Sequence, residues 1–292
     1  MSGDDAGMRF TKMHGCGNDY IYVDGWQTEF PADPADLIMA MSDRHTGIGS
    51  DGLILVGPSE IADARMDMWN SDGSRSEMCG NGLRCAARLA WDLGHLSSPL
   101  ARFETGAGIL DVRCLIDAHG RCSQVEVDMG VPRLEPHLVP VDLPPAQGLL
   151  RASVDLSDGS AVEAVCVGMG NPHAVLFVEE ANEAAVEAIG RQVENHPLFP
   201  NRTNVEFVTR RPDEDGHPVF RQRTWERGAG ETEACGTGAC ATAVAAILTG
   251  RAPRGRCTIR LNGGDLAIAW DGSGSVIMTG PAETVFEGDW PS

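Results

Sequence analysis

Glu77-Met78-Cys79-Gly80-Asn81-Gly82 returns as Glu233-Ala234-Cys235-Gly236-Thr237-Gly238, so that Cys235 follows Cys79 by 156 positions. The same spacing relates Gly94 to Gly250, Gly108 to Gly264, Leu110 to Leu266 and Val112 to Ile268. Upstream, Gly15-Cys-Gly-Asn18 pairs with Gly168-Met-Gly-Asn171, and each is followed by a strand-like run, Tyr20–Val23 and Ala174–Val178. Near the end of each half stand Val125–Gly130 and Val276–Gly280. The chain is a duplication of one unit of about 150 residues. Solenoid repeats run to about 20–50 residues, so two similar domains facing each other across a pseudo-twofold axis are expected instead.

The rest of the fold is read outward from that phrase. Runs of helical character follow each Cys-Gly-x-Gly, over Leu83–Leu93 and Ala239–Leu248, and each stops at a glycine suited to a C-terminal cap, Gly94 and Gly250. β-Branched and alternating runs, such as Gln124–Met129 and Val219–Thr224, read as strands. The fold class is therefore α/β (α+β), two pseudo-symmetric domains, each a mostly antiparallel sheet or barrel wrapped around a central helix. The boundary is expected near 130–145, where Pro132, Pro136, Pro140, Pro144 and Pro145 cluster. This gives residues 1–130 as the half carrying Cys79, with a tail of about 282–292 packed on it, and 131–281 as the half carrying Cys235.

Composition narrows the function. The 292 residues are 42% apolar and 22% charged, which is ordinary for a globular protein. A net charge of −19 argues against nucleic acid or an anionic membrane surface as partner. The first ten residues lack a basic start followed by an apolar core, and no window approaches 18 apolar residues. Nine cysteines without a secretory signal read as free thiols in a reducing cytoplasm.

Burial as a small apolar side chain is the common fate of a free cysteine, and it is the reading for Cys16, Cys85, Cys114, Cys122, Cys166, Cys240 and Cys257. Cys79 and Cys235 differ. Both precede a helix, where unpaired N–H groups and the helix dipole favour a thiolate. Neither has a partner at metal-ligand spacing, so no metal site is expected. A redox dithiol would also use two facing cysteines, whereas a Cys–His hydrolase needs only one. Two matched thiols suit inversion of a stereocentre, one removing a proton while the other returns one on the opposite face. Backbone N–H groups of both turns would hold a carboxylate and stabilise the charge that develops as the α-proton leaves.

These residues carry a resemblance. Phe10-Thr-Lys-Met-His-Gly-Cys-Gly-Asn-Asp19, Gly47-Ile-Gly-Ser-Asp51, Asn70-Ser-Asp-Gly-Ser74, Cys79-Gly-Asn-Gly-Leu-Arg-Cys85, Gly170-Asn-Pro-His173, Arg202-Thr-Asn204 and Glu226-Arg-Gly-Ala-Gly-Glu-Thr232, leading into Cys235-Gly-Thr-Gly238, span nearly the whole chain. In this order they resemble the diaminopimelate epimerase family, cofactor-independent isomerases that interconvert LL- and meso-diaminopimelate for lysine and peptidoglycan precursors. The resemblance implies that Cys79 and Cys235 are the acid–base pair, with Cys235 accepting and Cys79 donating in the LL-to-meso direction. It implies that His173 and Glu226 tune the thiols. It makes Asn18, Asn70, Asn171 and Asn204 amide ligands of the substrate, and Gly80-Asn81 and Gly236-Thr237 backbone anion sites. Arg227 would grip the remote carboxylate and Glu226 would meet an ammonium. No cofactor is expected, and a homodimer is.

Three positions depart from the pattern: Gly52 where many members carry a Gln, Ser71 for the more usual Ala, and Asn262 where a Pro often precedes Gly-Gly. The first places a substrate contact in question. A racemase of proline, hydroxyproline or histidine would keep the thiols but lose the reason for Glu226-Arg227 and the four asparagines. A non-catalytic thiol-redox protein would show no α-proton exchange.

Overall fold

The computed structural model describes residues 7–76, 78–144 and 149–291. Glu77 of the repeated phrase, Pro145 of the proline cluster, the residues before Gly7 and the terminal Ser292 lie outside the described residues. The chain divides into two compact units, one of Met1–Val127 with Gly280–Ser292 and one of Asp128–Thr279.

The first unit runs β1 (Met8–Gly15), β2 (Asn18–Asp24), α1 (Ala35–Ser42), β3 (Gly52–Gly57), β4 (Ala64–Asn70), β5 (Arg75–Ser76), α2 (Gly80–Asp92), β6 (Leu100–Thr105), β7 (Gly108–Ile116) and β8 (Cys122–Asp128). The second runs β9 (Leu150–Asp155), β10 (Ala161–Gly168), β11 (Pro172–Phe177), α3 (Val186–Glu194), β12 (Asn204–Glu214), β13 (His217–Glu226), β14 (Gly230–Thr232), α4 (Gly236–Leu248), β15 (Gly255–Arg260), β16 (Asp265–Trp270) and β17 (Ile277–Gly280). The last strand, β18 (Glu283–Trp290), returns to the first unit and pairs antiparallel with β1.

The two units repeat one strand order. β1–β2 is antiparallel, β2–β3 parallel, β3–β4 antiparallel, β4–β6 parallel, and β6–β7 and β7–β8 antiparallel. β10–β11 through β16–β17 give the same series of orientations, β11–β12 and β13–β15 being the parallel pairs. The place of β9 beside β10 in the second unit is filled in the first by β18 beside β1. The sheets are thus mixed. The parallel pairs arise where a helix or loop crosses over between strands, as α1 does between β2 and β3 and α3 between β11 and β12.

Each unit buries one helix. Ten of the thirteen residues of α2 are buried, against β1, β2, β3, β4 and β7. α4 reads Ala239-Cys-Ala-Thr-Ala-Val-Ala-Ala246, all buried, against β10, β11, β12, β15 and β16. A helix apolar on every face has no solvent side to present, and its small side chains let strands approach closely. Both helices end in the same 6→1 and 5→2 cap. His95 N–H donates to Ala90 and Gly94 N–H to Trp91; Arg251 donates to Ala246 and Gly250 to Ile247. Gly94 and Gly250 take φ of +77° and +71°, which glycine adopts without a Cβ clash. Arg84, fully buried on α2, donates to the Pro281 carbonyl at 3.0 Å, and Arg88 one turn later donates to Ala282. These two arginines tie the start of the returning segment to the helix.

In the second unit α3 lies on Trp225, whose indole N–H donates to the buried Glu194 carboxylate at 2.7 Å. A Cβ on Gly190 of that helix would stand 2.6 Å from Trp225 Cγ. Gly190→Ala is therefore expected to lower stability by about 1–3 kcal/mol through overpacking, despite the better helix propensity of alanine. Chemical denaturation read by tryptophan fluorescence checks this.

Candidate active site

The helices begin earlier than propensity alone suggests. Glycine is a poor helix former, yet Gly80 and Gly236 are the first helical residues, and Gly82 and Gly238 complete the first turns. Cys79 and Cys235 are consequently the N-caps themselves. Both are extended, with φ/ψ of −136°/121° and −117°/106°. The sulfur of each accepts the N–H of the residue three positions on, Gly82 and Gly238, at 3.4 Å. A capping side chain takes one of the four orphan N–H groups at a helix start. With sulfur in that role, the helix's positive end acts directly on the sulfur.

Around Cys79 the first unit supplies Asn18, at the start of β2. The thiol donates to Asn18 Oδ1 at 3.2 Å, and Asn18 Nδ2 donates to Asp51 at 2.7 Å. Asp51 and Asp19 share Arg44, at 2.9 and 2.7 Å, and Lys12 lies 2.5 Å from Asp19. Burial works against the charge of Asp19, but the hydrogen bonds of Arg44 and Lys12 outweigh it and hold the carboxyl below its ordinary range. Tyr22, fully buried, donates to the Gly82 carbonyl at 3.2 Å; burial first, then the nearby thiols, push its phenol well up. Asn81 is buried in the first turn of α2. Asn70 sits in the β4–β5 turn and donates to Ser74 Oγ at 3.0 Å. Gly52 takes φ +155°, and a Cβ there would lie 2.0 Å from the Trp69 carbonyl oxygen, so the backbone leaves no room for a side chain at that position.

Around Cys235 the second unit supplies a longer chain of groups. Thr237 Oγ1 lies 3.5 Å from the sulfur and accepts from Asn171 Nδ2 at 3.3 Å. Asn171 Oδ1 lies 2.8 Å from His173 Nε2, and His173 Nδ1 lies 2.8 Å from Glu206 Oε1. Glu226, at the end of β13, accepts from Thr232 at 2.6 Å. Burial of the Cys235 thiol, then the negative charges of Glu226 and Glu206, push it well above the ordinary thiol range. Asn204 is buried, and its carboxamide is engaged with backbone: Nδ2 donates to the Pro172 carbonyl at 3.1 Å, and Oδ1 accepts from Arg227 N–H at 2.9 Å. The exposed Arg227 donates to the Asn201 carbonyl at 3.0 Å. So Asn171, His173, Glu226 and Thr237 gather at Cys235, while Asn204 sets the backbone that carries Arg227.

Glu206 and Gln222 were not among the residues singled out from sequence. Both are fully buried. Their signal was a polar side chain repeated on one face of otherwise apolar strands: Asn204 and Glu206 on β12, Gln222 and Thr224 on β13. Among the described residues no cluster of three His, Cys, Asp or Glu side chains could hold a metal ion, no helix is long and apolar enough to cross a membrane, and none of the nine cysteines forms a disulfide.

Residues 10–135 and 165–285 match the model of a family described as diaminopimelate epimerase. The chain is 47% identical over 283 residues to a diaminopimelate epimerase of Acetivibrio thermocellus, covering 97% of this chain and 98% of that one. It is 45% identical over 282 residues to a diaminopimelate epimerase of Leptospira biflexa, covering 97% and 98%. Among solved structures it is similar in fold to a hydroxyproline epimerase from Agrobacterium vitis, with a TM-score of 0.65, 19% identity, and coverage of 97% and 92%.

The matched glycines give a test of local geometry. A Cβ on Gly82 would meet the mobile end of Ile54 at 2.7 Å, whereas one on Gly238 would meet Glu206 Oε1 at 2.6 Å and the Cys235 sulfur at 3.2 Å. Gly82→Ala should leave stability within about 1 kcal/mol, helix propensity offsetting the shift of Ile54. Gly238→Ala should cost about 1–3 kcal/mol because the buried carboxylate held by His173 has nowhere to move. Thermal melts of the two variants separate these outcomes.

Proposed function

The chain belongs to the diaminopimelate epimerase family, and on that premise we propose that it interconverts LL- and meso-diaminopimelate by two-base proton transfer at the α-carbon, in the synthesis of lysine and peptidoglycan precursors. The carrying observation is that both halves of a duplicated chain present a cysteine as the N-cap of a buried helix. The double-headed substrate accounts for the polar residues that a single-headed amino acid would leave without a role, chiefly Glu226 and Arg227.

In the LL-to-meso direction the Cys235 thiolate takes the α-proton. The C–H bond breaks, an S–H bond forms, and the electron pair left on carbon delocalises into the carboxylate. Cys79 then gives its proton to the opposite face and becomes the thiolate. The reverse reaction exchanges the roles. First-turn N–H groups at Gly80-Asn81 and Gly236-Thr237 face the growing negative charge, where preorganised donors stabilise a transition state. A carbon acid this weak needs a strong base. The buried Cys235, with Glu206 and Glu226 raising the energy of its thiolate, is a stronger base once deprotonated than an ordinary thiol. Asn18 orients Cys79, Asn171 and Thr237 orient Cys235, and Arg227 meets the remote carboxylate. No cofactor enters this chemistry.

The enzyme is proposed to act in the cytoplasm as a homodimer. The register partners of β18 among the described residues are all on β1, and Val285 and Phe286 are 54% and 45% exposed on it. A strand with one bare edge and apolar side chains suits pairing with a second copy.

Incubation of the reduced protein with LL-diaminopimelate in heavy water tests the reading. α-Proton exchange by NMR and the meso isomer by chiral chromatography are expected together. Cys79→Ala and Cys235→Ala should each abolish epimerisation. Wild-type rates in either variant would exclude the two-thiol mechanism, and an absence of exchange in the folded, reduced protein would exclude the substrate.

A further inference from the structure

The two halves repeat each other in strand order but not in what stands behind the thiols. The offset that matches Asn18 to Asn171 places Tyr20 opposite His173. β2–β3 and β11–β12 share one parallel register, Ile21 with Leu53 and Ala174 with Val205, so Ile54 corresponds to Glu206. The side chain against the third residue of the helix is therefore Ile54 at Gly82 but Glu206 at Gly238. An apolar contact in one half has become a buried carboxylate in the other.

That carboxylate is close to the sulfur. From the position a Gly238 Cβ would occupy, Glu206 Oε1 is 2.6 Å away and Cys235 Sγ 3.2 Å, which caps their separation at 5.8 Å. Gly238 is what admits it, since any side chain there would fill the gap. On its other side Glu206 is held by His173, which is itself fully buried. Asn171 Nδ2 is directed to Thr237 and its Oδ1 faces His173 Nε2 at 2.8 Å, so His173 bridges Asn171 and Glu206 and fixes the carboxylate in place.

We propose that Glu206 is a positioning residue for the epimerisation: locked to His173 and admitted by Gly238, it sets the proton balance of Cys235 and makes the two thiols chemically unequal. This rests on the two-thiol reading above. The Glu206 carboxylate disfavours a neighbouring thiolate, so Cys235 rests protonated and serves as the stronger base of the pair once ionised. Glu226 is half-buried at the end of β13; the buried titratable side chains on the strands packed against α4 are Glu206 on β12, His173 on β11, Cys166 on β10 and Cys257 on β15, and β16 has none. Burial pushes Cys166 and Cys257 each up to about 12, which leaves them neutral.

The test is the pH profile of alkylation by iodoacetamide, with Cys79 and Cys235 quantified separately by mass spectrometry in the substrate-free protein. Glu206→Gln keeps the shape and removes the charge. The Cys235 profile should move to lower pH by about one unit, roughly a ten-fold faster reaction on the rising limb, while the Cys79 profile stays in place. In turnover kcat should fall with KM nearly unchanged, since Glu206 does not touch substrate. A Cys235 profile that stays put in the folded variant overturns the proposal, and so does an equal shift of both cysteines. Because no substrate is present, this result is independent of whether diaminopimelate is the substrate. If that variant does not fold, Glu206→Asp decides, since it keeps the charge but draws it back from the sulfur: a Cys235 profile moved to lower pH with Cys79 in place supports the arrangement, and an unmoved Cys235 profile overturns it.

Discussion

A sulfur atom that caps a helix is the constraint on which the rest of this molecule depends. To accept the N–H of Gly82 or Gly238, the cysteine must be extended while the next residue is already helical. The first turn must then be glycine-rich, because strands and side chains press against it from the sheet. The helix that follows must be buried, and in each unit five or more strands pack against it. Both Gly94 and Gly250 close the far end in the same left-handed cap. Fold and thiol are thus one solution: the sheet exists to hold a helix whose positive end meets sulfur.

Duplication supplied two such sulfurs, and divergence made them different. Cys79 is half-buried and donates to an asparagine; Cys235 is buried among carboxylates. An acid and a base of equal strength would satisfy a symmetric reaction, but LL- and meso-diaminopimelate are not mirror images. An enzyme for such a pair has no need of matched thiols, and the exchange of Tyr20 and Ile54 for His173 and Glu206 is a compact way to separate them.

Much of this was legible in the sequence. The repeated phrase carried the duplication, the glycines after each helical run carried the caps, and β-branched alternation located β2, β8, β11 and β13. The helix starts were obscured by Gly80 and Gly236, whose intrinsic preference is against helix while tertiary packing holds them in it. The parallel pairs were not legible, because register is decided by crossovers and not by local pattern. Glu206 was missed for a related reason. One acid in an apolar strand looks like a surface residue until strand parity aligns it with Asn204 and sets both beside Gln222 and Thr224. Asn70 and Asn204 show another limit: the letter alone does not say that the Asn70 amide bonds to Ser74, or that the Asn204 amide bonds to the Pro172 carbonyl and the Arg227 N–H.

The returning strand carries a consequence for synthesis. The second unit is a continuous stretch, Asp128–Thr279, and has all its strands once that stretch has left the ribosome. The first unit is made earlier but waits for β18, residues 283–290, before the outer edge of β1 is paired. The half translated first is the half completed last, so an unpaired strand edge stays open for nearly the whole period of translation. Any ribosome that stalls before those final codons releases a chain in which one thiol sits in a finished unit and the other in an unfinished one.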